Sequence, residues 1–560
     1  MTTVAAATAE ALARAGVRHA YTVPGESFLG LLDALEQHLD ITLVSTRHES
    51  GAAFMADASG RLTGGPALAL ASRGPGASNL AIGVHTAMQD STPMVVLLGQ
   101  VATDLRGREA FQEVDLAAMF TPLAKWAAEA RTADEVLPLL DTALREAVTG
   151  RPGPVVLVLP TDLVVAEVSE PAPAAETTPI GAETSTIALA DLARRLVDAD
   201  RPVLVVGRGA APGSADLVRV AEQFGAGVYV AFRCQDRFPV EHPLFLGHLG
   251  LAVPDGVLLE ARGADVVVTV GTRWDEVSSQ RYALPDAGSA WVALGRFDPG
   301  AGADWVPGDA DALLSALVAH APDEPPARDW SAGHEATDAF SRLPDVATDG
   351  RAAGEAARVH PAEVVAALHR AVPPDAVVTN DAGNFASFLH RYWRFGAGVV
   401  QLAPANGAMG FAVPAAVAAA CVDGERPVLA VVGDGGALMT GQELETAVRL
   451  GLHVVVVVFQ NAMYGTIAMH QARELGRTAG VAIGDVDFAA WGRGLGARAC
   501  AVSTSAGLDV ALVEAFAEPG PALVAVRTDP DVISPSARLD ELVAVHPARA
   551  QQPGRGRRPH

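Results

Sequence analysis

Lysine is almost missing from this sequence: of its 41 basic residues only Lys125 is a lysine. No Gly-Lys-Ser/Thr triplet can therefore form, which excludes a Walker-type phosphate loop. Bases as a whole are outnumbered by 65 acids, for a formal net charge of −24. That surplus repels phosphate backbones and anionic lipid, so neither nucleic acid nor a membrane surface is an expected partner. The three cysteines, Cys234, Cys421 and Cys500, are too scattered for a zinc site or a disulfide framework. Apolar runs such as HVVVVVF (453–459) fall far short of the roughly 20 residues that cross a bilayer and read as buried strands. The N-terminus lacks the basic-then-apolar layout of a signal peptide, so the cytoplasm is the expected compartment.

What is present is a chain of 560 residues, half of them hydrophobic, too long for one core. Short β-branched runs alternate with Ala-rich helical stretches, which predicts α/β architecture with doubly wound parallel sheets. Two stretches rich in Pro, Ala and acids, 166–186 and 321–358, break the alternation and read as linkers. Three domains follow, 1–165, 187–320 and 359–535, with a tail at 536–560 expected to be disordered toward its end.

The first and third domains read as copies of one unit. GPALALASRGPGA (65–77) aligns with RPVLAVVGDGGA (426–437), MVVLLGQ ending at Gln100 with VVVVFQ ending at Gln460, and RPGPVVLVLPTD (151–162) with EPGPALVAVRTD (518–529). The offset is 361 at the Pro66–Pro427 pair and 367 at the Thr161–Thr528 pair, so spacing holds over about 100 residues.

The second copy carries the strongest motif. A strand delivers Asp434 between Gly433 and Gly435, a helix follows, and the next strand ends at Asn461, 27 residues later. Strands of an open parallel sheet share one carboxyl edge, so these two can meet there. A carboxylate, an amide carbonyl and a loop carbonyl from NAMYG suit a hard divalent cation, and the glycines admit a diphosphate beside it. Gly-Asp-Gly by itself is equally a turn. It is not a dinucleotide fingerprint, because Leu438 holds the third glycine position, as Pro212 does in GRGAAP (207–212).

Gly-Asp-Gly, some two dozen residues, then Asn at a strand end resembles the thiamine diphosphate (ThDP) motif. Together with HESGAAFMADA, GPGASN, AFQEVD and NGAMGFAVPAA, in that order, it identifies the chain as similar to the acetolactate synthase and benzoylformate decarboxylase branch of ThDP-dependent enzymes. The resemblance implies that the two copies are a ThDP-binding fold, a pyrimidine-binding domain first and a diphosphate-binding domain third, around a Rossmann-like middle domain. It assigns Asp434, Asn461 and the Met463 carbonyl to Mg²⁺. Gly383, Asn384, Gly433, Gly435, Gly436, Tyr464 and Gly465 fall to the cofactor, with Gly407 accepting from its 4'-amino group and Met409 propping its bent form. Where the family usually has Asn-Asn, this chain has Gln460-Asn461; the ligand in the resemblance is the second residue.

Arg73 lies opposite Asp434, so the first copy lacks the metal aspartate. By the resemblance it supplies the acid instead. Glu49 would bond the aminopyrimidine ring and promote loss of the thiazolium C2 proton, with Asn79 of GPGASN beside the cofactor. Read locally, Thr46 and Glu49 also fit a Ser/Thr-x-x-Glu capping box. Gln112, next to Phe111, would lie near the reacting carbon, Lys125 near the substrate entrance, and His85 and His470 are candidate proton donors. Typical acetolactate synthases have tryptophan near the place of His470. GTRWDEVSSQRY (271–282) resembles a segment that touches FAD in acetolactate synthases, and since many relatives keep this domain without flavin, FAD stays open. The expected activity is ThDP- and Mg²⁺-dependent decarboxylation of a 2-oxo acid with carboligation to a second carbonyl compound. Simple decarboxylation to an aldehyde and an inactive ThDP-binding relative are the alternatives. The resemblance further implies a homodimer or homotetramer with its site between subunits.

Overall fold

The computed structural model describes residues 2–168, 186–296, 298–300, 302–345, 358–396 and 398–545. Most of the expected linker at 166–186, the end of that at 321–358, and the tail beyond 545 lie outside them.

Eighteen strands build three six-stranded parallel sheets. The first contains β1 (His19–Thr22), β2 (Thr42–Ser45), β3 (Ala67–Ala71), β4 (Met94–Gln100), β5 (Trp126–Glu129) and β6 (Pro154–Pro160) in the order β2-β1-β3-β4-β6-β5. The middle sheet contains β7 (Pro202–Val206), β8 (Gly227–Val230), β9 (Phe245–His248), β10 (Val266–Val270), β11 (Ala290–Gly295) and β12 (Asp304–Pro307), ordered β9-β8-β7-β10-β11-β12. The third contains β13 (Val377–Asn380), β14 (Val400–Leu402), β15 (Val428–Gly433), β16 (Val455–Gln460), β17 (Arg498–Val502) and β18 (Ala522–Arg527), ordered β14-β13-β15-β16-β18-β17.

The first and third sheets thus share one strand order, and the three aligned sequence pairs fall on equivalent strands: β3 with β15, β4 with β16, β6 with β18. The middle sheet has the doubly wound order of dinucleotide-binding folds. Central strands such as β4, β6 and β16 are buried along their whole length, as parallel strands covered on both faces must be.

One apolar cluster spans the first and third domains. Its centre is helix Ala412–Val422, apolar nearly all round and buried from Ala412 to Ala420, which packs between its own sheet and helix Glu49–Thr63. Phe54 and Phe411 meet there edge to face, ring centres 5.6 Å apart, a pair worth about 1 kcal/mol beyond its burial.

The stretch expected as a linker from 321 departs from that reading as far as it is described. Arg328 donates to the main-chain carbonyls of Leu196, Ala199 and Phe224, Trp330 is buried, and helix Ser331–Ser341 packs on β9. The prolines and acids of 321–329 masked a tryptophan anchor that docks this segment on the middle domain.

Candidate active site

Asp434 opens helix Asp434–Thr440 directly after β15. It is 4% exposed. Its Oδ1 accepts the Gly435 N–H at 2.9 Å, and its Oδ2 accepts the N–H groups of Asn461 at 3.0 Å and Ala462 at 2.6 Å. Burial holds the carboxyl above its ordinary range while those N–H groups pull it back. No basic side chain lies within ion-pair distance among the described residues. Ala462, at φ 58°, turns the chain after Asn461, and among the described residues the Asn461 side-chain oxygen receives only the Met463 N–H, at 3.3 Å. A buried carboxylate without a protein counter-charge, beside an underused amide oxygen, fits a hard divalent cation.

Around this pair stand the other predicted third-domain residues. A Cβ on Gly435 would lie 2.8 Å from the Tyr464 ring and 3.2 Å from the Met409 methyl, so both side chains reach the Gly435 backbone. Tyr464 precedes helix Gly465–Leu475, and a Cβ on Gly465 would lie 3.5 Å from the Asn461 side-chain nitrogen. Gly383, at φ 151°, caps helix Asn384–Tyr392; Asn384 accepts from Thr466 Oγ1 at 3.0 Å. Gly407 has φ 75°, with nothing within 4 Å of where a Cβ would be: backbone conformation, not crowding, selects glycine here.

Sequence reasoning missed what aims the NGAMGF loop. Asp381, fully buried just after β13, accepts the N–H groups of Gly410 at 2.7 Å and Ala412 at 2.6 Å, and a Cβ on Gly436 would overlap it. Burial pushes its carboxyl up to about 6. The signal existed, since Asp381 follows a strand at the same sheet edge as Asp434.

The first-domain set gathers elsewhere in the chain. Glu49 is the first residue of helix Glu49–Thr63 and His48 is its cap, accepting the Ser50 N–H on its ring. A capping box would place Glu49 two positions further into the helix, so the Thr46–Glu49 reading is corrected: Thr46 donates to the His48 carbonyl instead. The Glu49 carboxylate is free to turn outward. One oxygen accepts from Asn79 Nδ2 at 3.0 Å, and the other lies 3.2 Å from where a Gly76 Cβ would be. The Gln112 carbonyl accepts the Gly74 N–H at 3.1 Å, which places Glu49, Asn79 and Gln112 around the start of helix Gly74–Asp90. Phe111, 74% exposed, stands beside them.

Among the described residues, no hydrogen bond or ion pair joins this set to Asp434 or its neighbours within one chain. His85 lies further along helix Gly74–Asp90 and contacts Asn406 at 3.1 Å, one residue from Gly407. His470 is exposed on helix Gly465–Leu475. Lys125, expected near a substrate entrance, is tied to the main chain of its own domain. Its ammonium donates to the Glu146 and Thr149 carbonyls, both at 2.5 Å, capping the C-terminus of helix Ala133–Val148.

Where the three domains meet, a cavity of about 690 Å³ lies at the carboxyl ends of β7 and β10, with Arg61 and Asp90 from the first domain, Arg208, Gly271 and Arg273 from the middle one and Leu402 from the third in its lining. Its arginines are largely matched by acids, Arg208 and Arg61 with Asp90 at 2.6 and 3.5 Å and Arg273 with Asp275 at 3.8 Å. Trp274 of the 271–282 segment turns away into the core, donating to the Leu284 carbonyl at 3.2 Å.

Comparison with known proteins accounts for all three domains. The model of the thiamine pyrophosphate enzyme N-terminal TPP binding domain matches residues 2–119, that of the central domain 189–292, and that of the C-terminal TPP binding domain 381–526. The chain is 30% identical to the acetolactate synthase isozyme 1 large subunit of Escherichia coli (strain K12), over 95% of this chain and 96% of that one. It is 31% identical to the catabolic acetolactate synthase of Raoultella terrigena, over 92% and 93%. A solved thiamine diphosphate-dependent 4-hydroxybenzoylformate decarboxylase from Rhodococcus jostii RHA1 superposes with a TM-score of 0.80 at 25% identity, covering 94% of this chain and 99% of that one. With three domain models in register and relatives matched end to end, the chain belongs to the ThDP-dependent enzymes, in their acetolactate synthase-like branch.

Proposed function

We propose that this enzyme decarboxylates a 2-oxo acid and joins the remaining acyl unit to a second carbonyl compound, using ThDP and Mg²⁺. The observation that carries this reading is the buried Asp434 carboxylate, which meets Asn461 at the sheet edge with no protein cation beside it. Asp434, Asn461 and the Met463 carbonyl would hold the metal. Gly383, Asn384, Gly433, Gly435, Gly436, Tyr464 and Gly465 would hold the diphosphate end, with the Gly407 carbonyl and Met409 against the pyrimidine. ThDP, when bound, supplies an electron sink for the pair left behind as CO₂ departs. Glu49, held by Asn79, would be the group that faces the pyrimidine ring and could exchange a proton with it. Gln112 would contact the substrate, and His85 and His470 are the candidate donors for later proton steps.

We take the site to be completed by a second copy, in a homodimer or homotetramer; among the described residues, no hydrogen bond or ion pair within one chain joins Glu49 to Asp434. The expected setting is the cytoplasm, and among the described residues no helix is long and apolar enough to cross a membrane. FAD enters none of these steps; the visible absorption spectrum of the purified protein tests whether the cavity between the three domains carries it.

A second reading, decarboxylation releasing an aldehyde, is favoured by the similarity to a solved decarboxylase. Purified protein with ThDP, Mg²⁺ and a panel of 2-oxo acids separates the two. Ketol formed in step with CO₂ supports carboligation, aldehyde in step with CO₂ supports the second reading, and no CO₂ from any member contradicts both.

A further inference from the structure

The backbone just ahead of Glu49 is held by the third domain. Glu443, at the start of helix Glu443–Leu450, is fully buried. Its Oε1 accepts the N–H groups of Arg47 at 2.9 Å and His48 at 3.1 Å, and its Oε2 accepts from Thr446 Oγ1 at 2.7 Å. No basic group lies within ion-pair distance of it among the described residues. A buried charge without a counter-ion is costly unless every donor around it is engaged, and here two of the three donors are backbone groups of another domain, one and two residues before Glu49.

The surrounding sequence makes room for this contact. A Cβ on Gly51 would lie 2.5 Å from Glu443 Oε1, so the glycine of HESGAAF admits the carboxylate. The same helix grips the strand end nearby: Arg449 donates to the Ser45 carbonyl, and Glu445 pairs with Arg47 at 3.3 Å. This helix follows closely on the one that Asp434 opens.

We propose that Glu443 is a positioning residue for Glu49. It fixes the turn from Arg47 to Gly51, so that the Glu49 carboxylate leaves the helix start in the direction of Asn79. This rests on the assignment of Glu49 as the acid that meets the pyrimidine. Glutamine at 443 keeps the volume and one acceptor oxygen but trades the other for an NH₂ group, which cannot serve the same ring of donors. A misplacement of about 1 Å at a reacting group costs on the order of 10²-fold in rate.

The test compares Glu443→Gln and Gly51→Ala, each alone and combined with Glu49→Gln, with Glu49→Gln alone, in the full-length protein. With ThDP and Mg²⁺ bound, Glu443→Gln should lower kcat by about 10- to 100-fold while KM and cofactor affinity stay within about twofold, and it should lower kcat no further in the Glu49→Gln background. In cofactor-free protein, deuterium uptake in the peptide spanning 45–56 should rise. Gly51→Ala, whose methyl would crowd the Glu443 oxygen that accepts those two N–H groups, should reproduce both effects, and it carries the test if Glu443→Gln does not fold. An unchanged kcat in folded variants, or the same fold-loss repeated in the Glu49→Gln background, overturns the positioning role. If Glu49→Gln itself keeps full turnover, it is the proposed function that fails; if Glu49→Gln is dead and Glu443→Gln is not slowed, only the positioning role fails.

Discussion

The Asp434 carboxylate accepts the main-chain N–H of Asn461 at 3.0 Å, across 27 residues of sequence and from the end of one parallel strand to the end of its neighbour. The contact makes the ends of β15 and β16 into one rigid oxygen-rich corner. Asp434→Ala leaves three main-chain N–H groups without their acceptor, so it should lower the stability of the cofactor-free protein by about 1–3 kcal/mol while the protein still folds, and it should abolish Mg²⁺-dependent ThDP binding by calorimetry. Unchanged affinity would refute the metal assignment.

The lone lysine has a structural task. Lys125→Met should lower stability by about 1–3 kcal/mol in urea unfolding, since two carbonyls at a helix end lose a charged donor. Its kcat and KM should match those of the parent. A change in KM without a change in stability would return Lys125 to the substrate entrance.

Asp381 sets a pH signature. Its folded-state carboxyl, raised to about 6 by burial, keeps a proton that the unfolded chain loses near its ordinary value of about 4. Its stabilising contribution is therefore complete below that ordinary value and is lost as pH rises through about 6. Asp381→Asn cannot titrate. The stability of the parent relative to this variant, from urea midpoints of cofactor-free protein, should fall between about pH 4.5 and 6.5, by at most about 3 kcal/mol, and then level off. A difference that rises over this window would reverse the sign of the assignment.

The duplicated fold was legible because it rests on local signals repeated in order. Buried apolar runs begin just after Pro66 and Pro427, end at Gln100 and Gln460, and end just before Thr161 and Thr528, in equivalent places, and parallel sheets turn such runs into matching strand orders. Asp434 and Asn461 were legible for the same reason: both sit at strand ends, and strand ends share an edge. Glu443 was not. In GQELETAV it reads as one acid of a solvated helix face, and only the approach of Arg47 and His48, some 395 residues away in sequence, makes it a buried acceptor. The Thr46–Glu49 spacing misled in the opposite sense, since the helix begins at Glu49 and takes its cap from His48. Composition likewise hid the packed helix after 330, where one tryptophan outweighs a run of prolines.

The central claim is that Glu49 acts on the cofactor's ring and does not merely start a helix. The most direct measurement is turnover of a 2-oxo acid by Glu49→Gln at saturating ThDP and Mg²⁺, alongside its melting temperature. The account predicts a fall in kcat of about 10²- to 10⁴-fold with melting unchanged within about 2 °C, the shift expected of a substitution away from the core. Substantial turnover retained together with a large fall in melting temperature would contradict it.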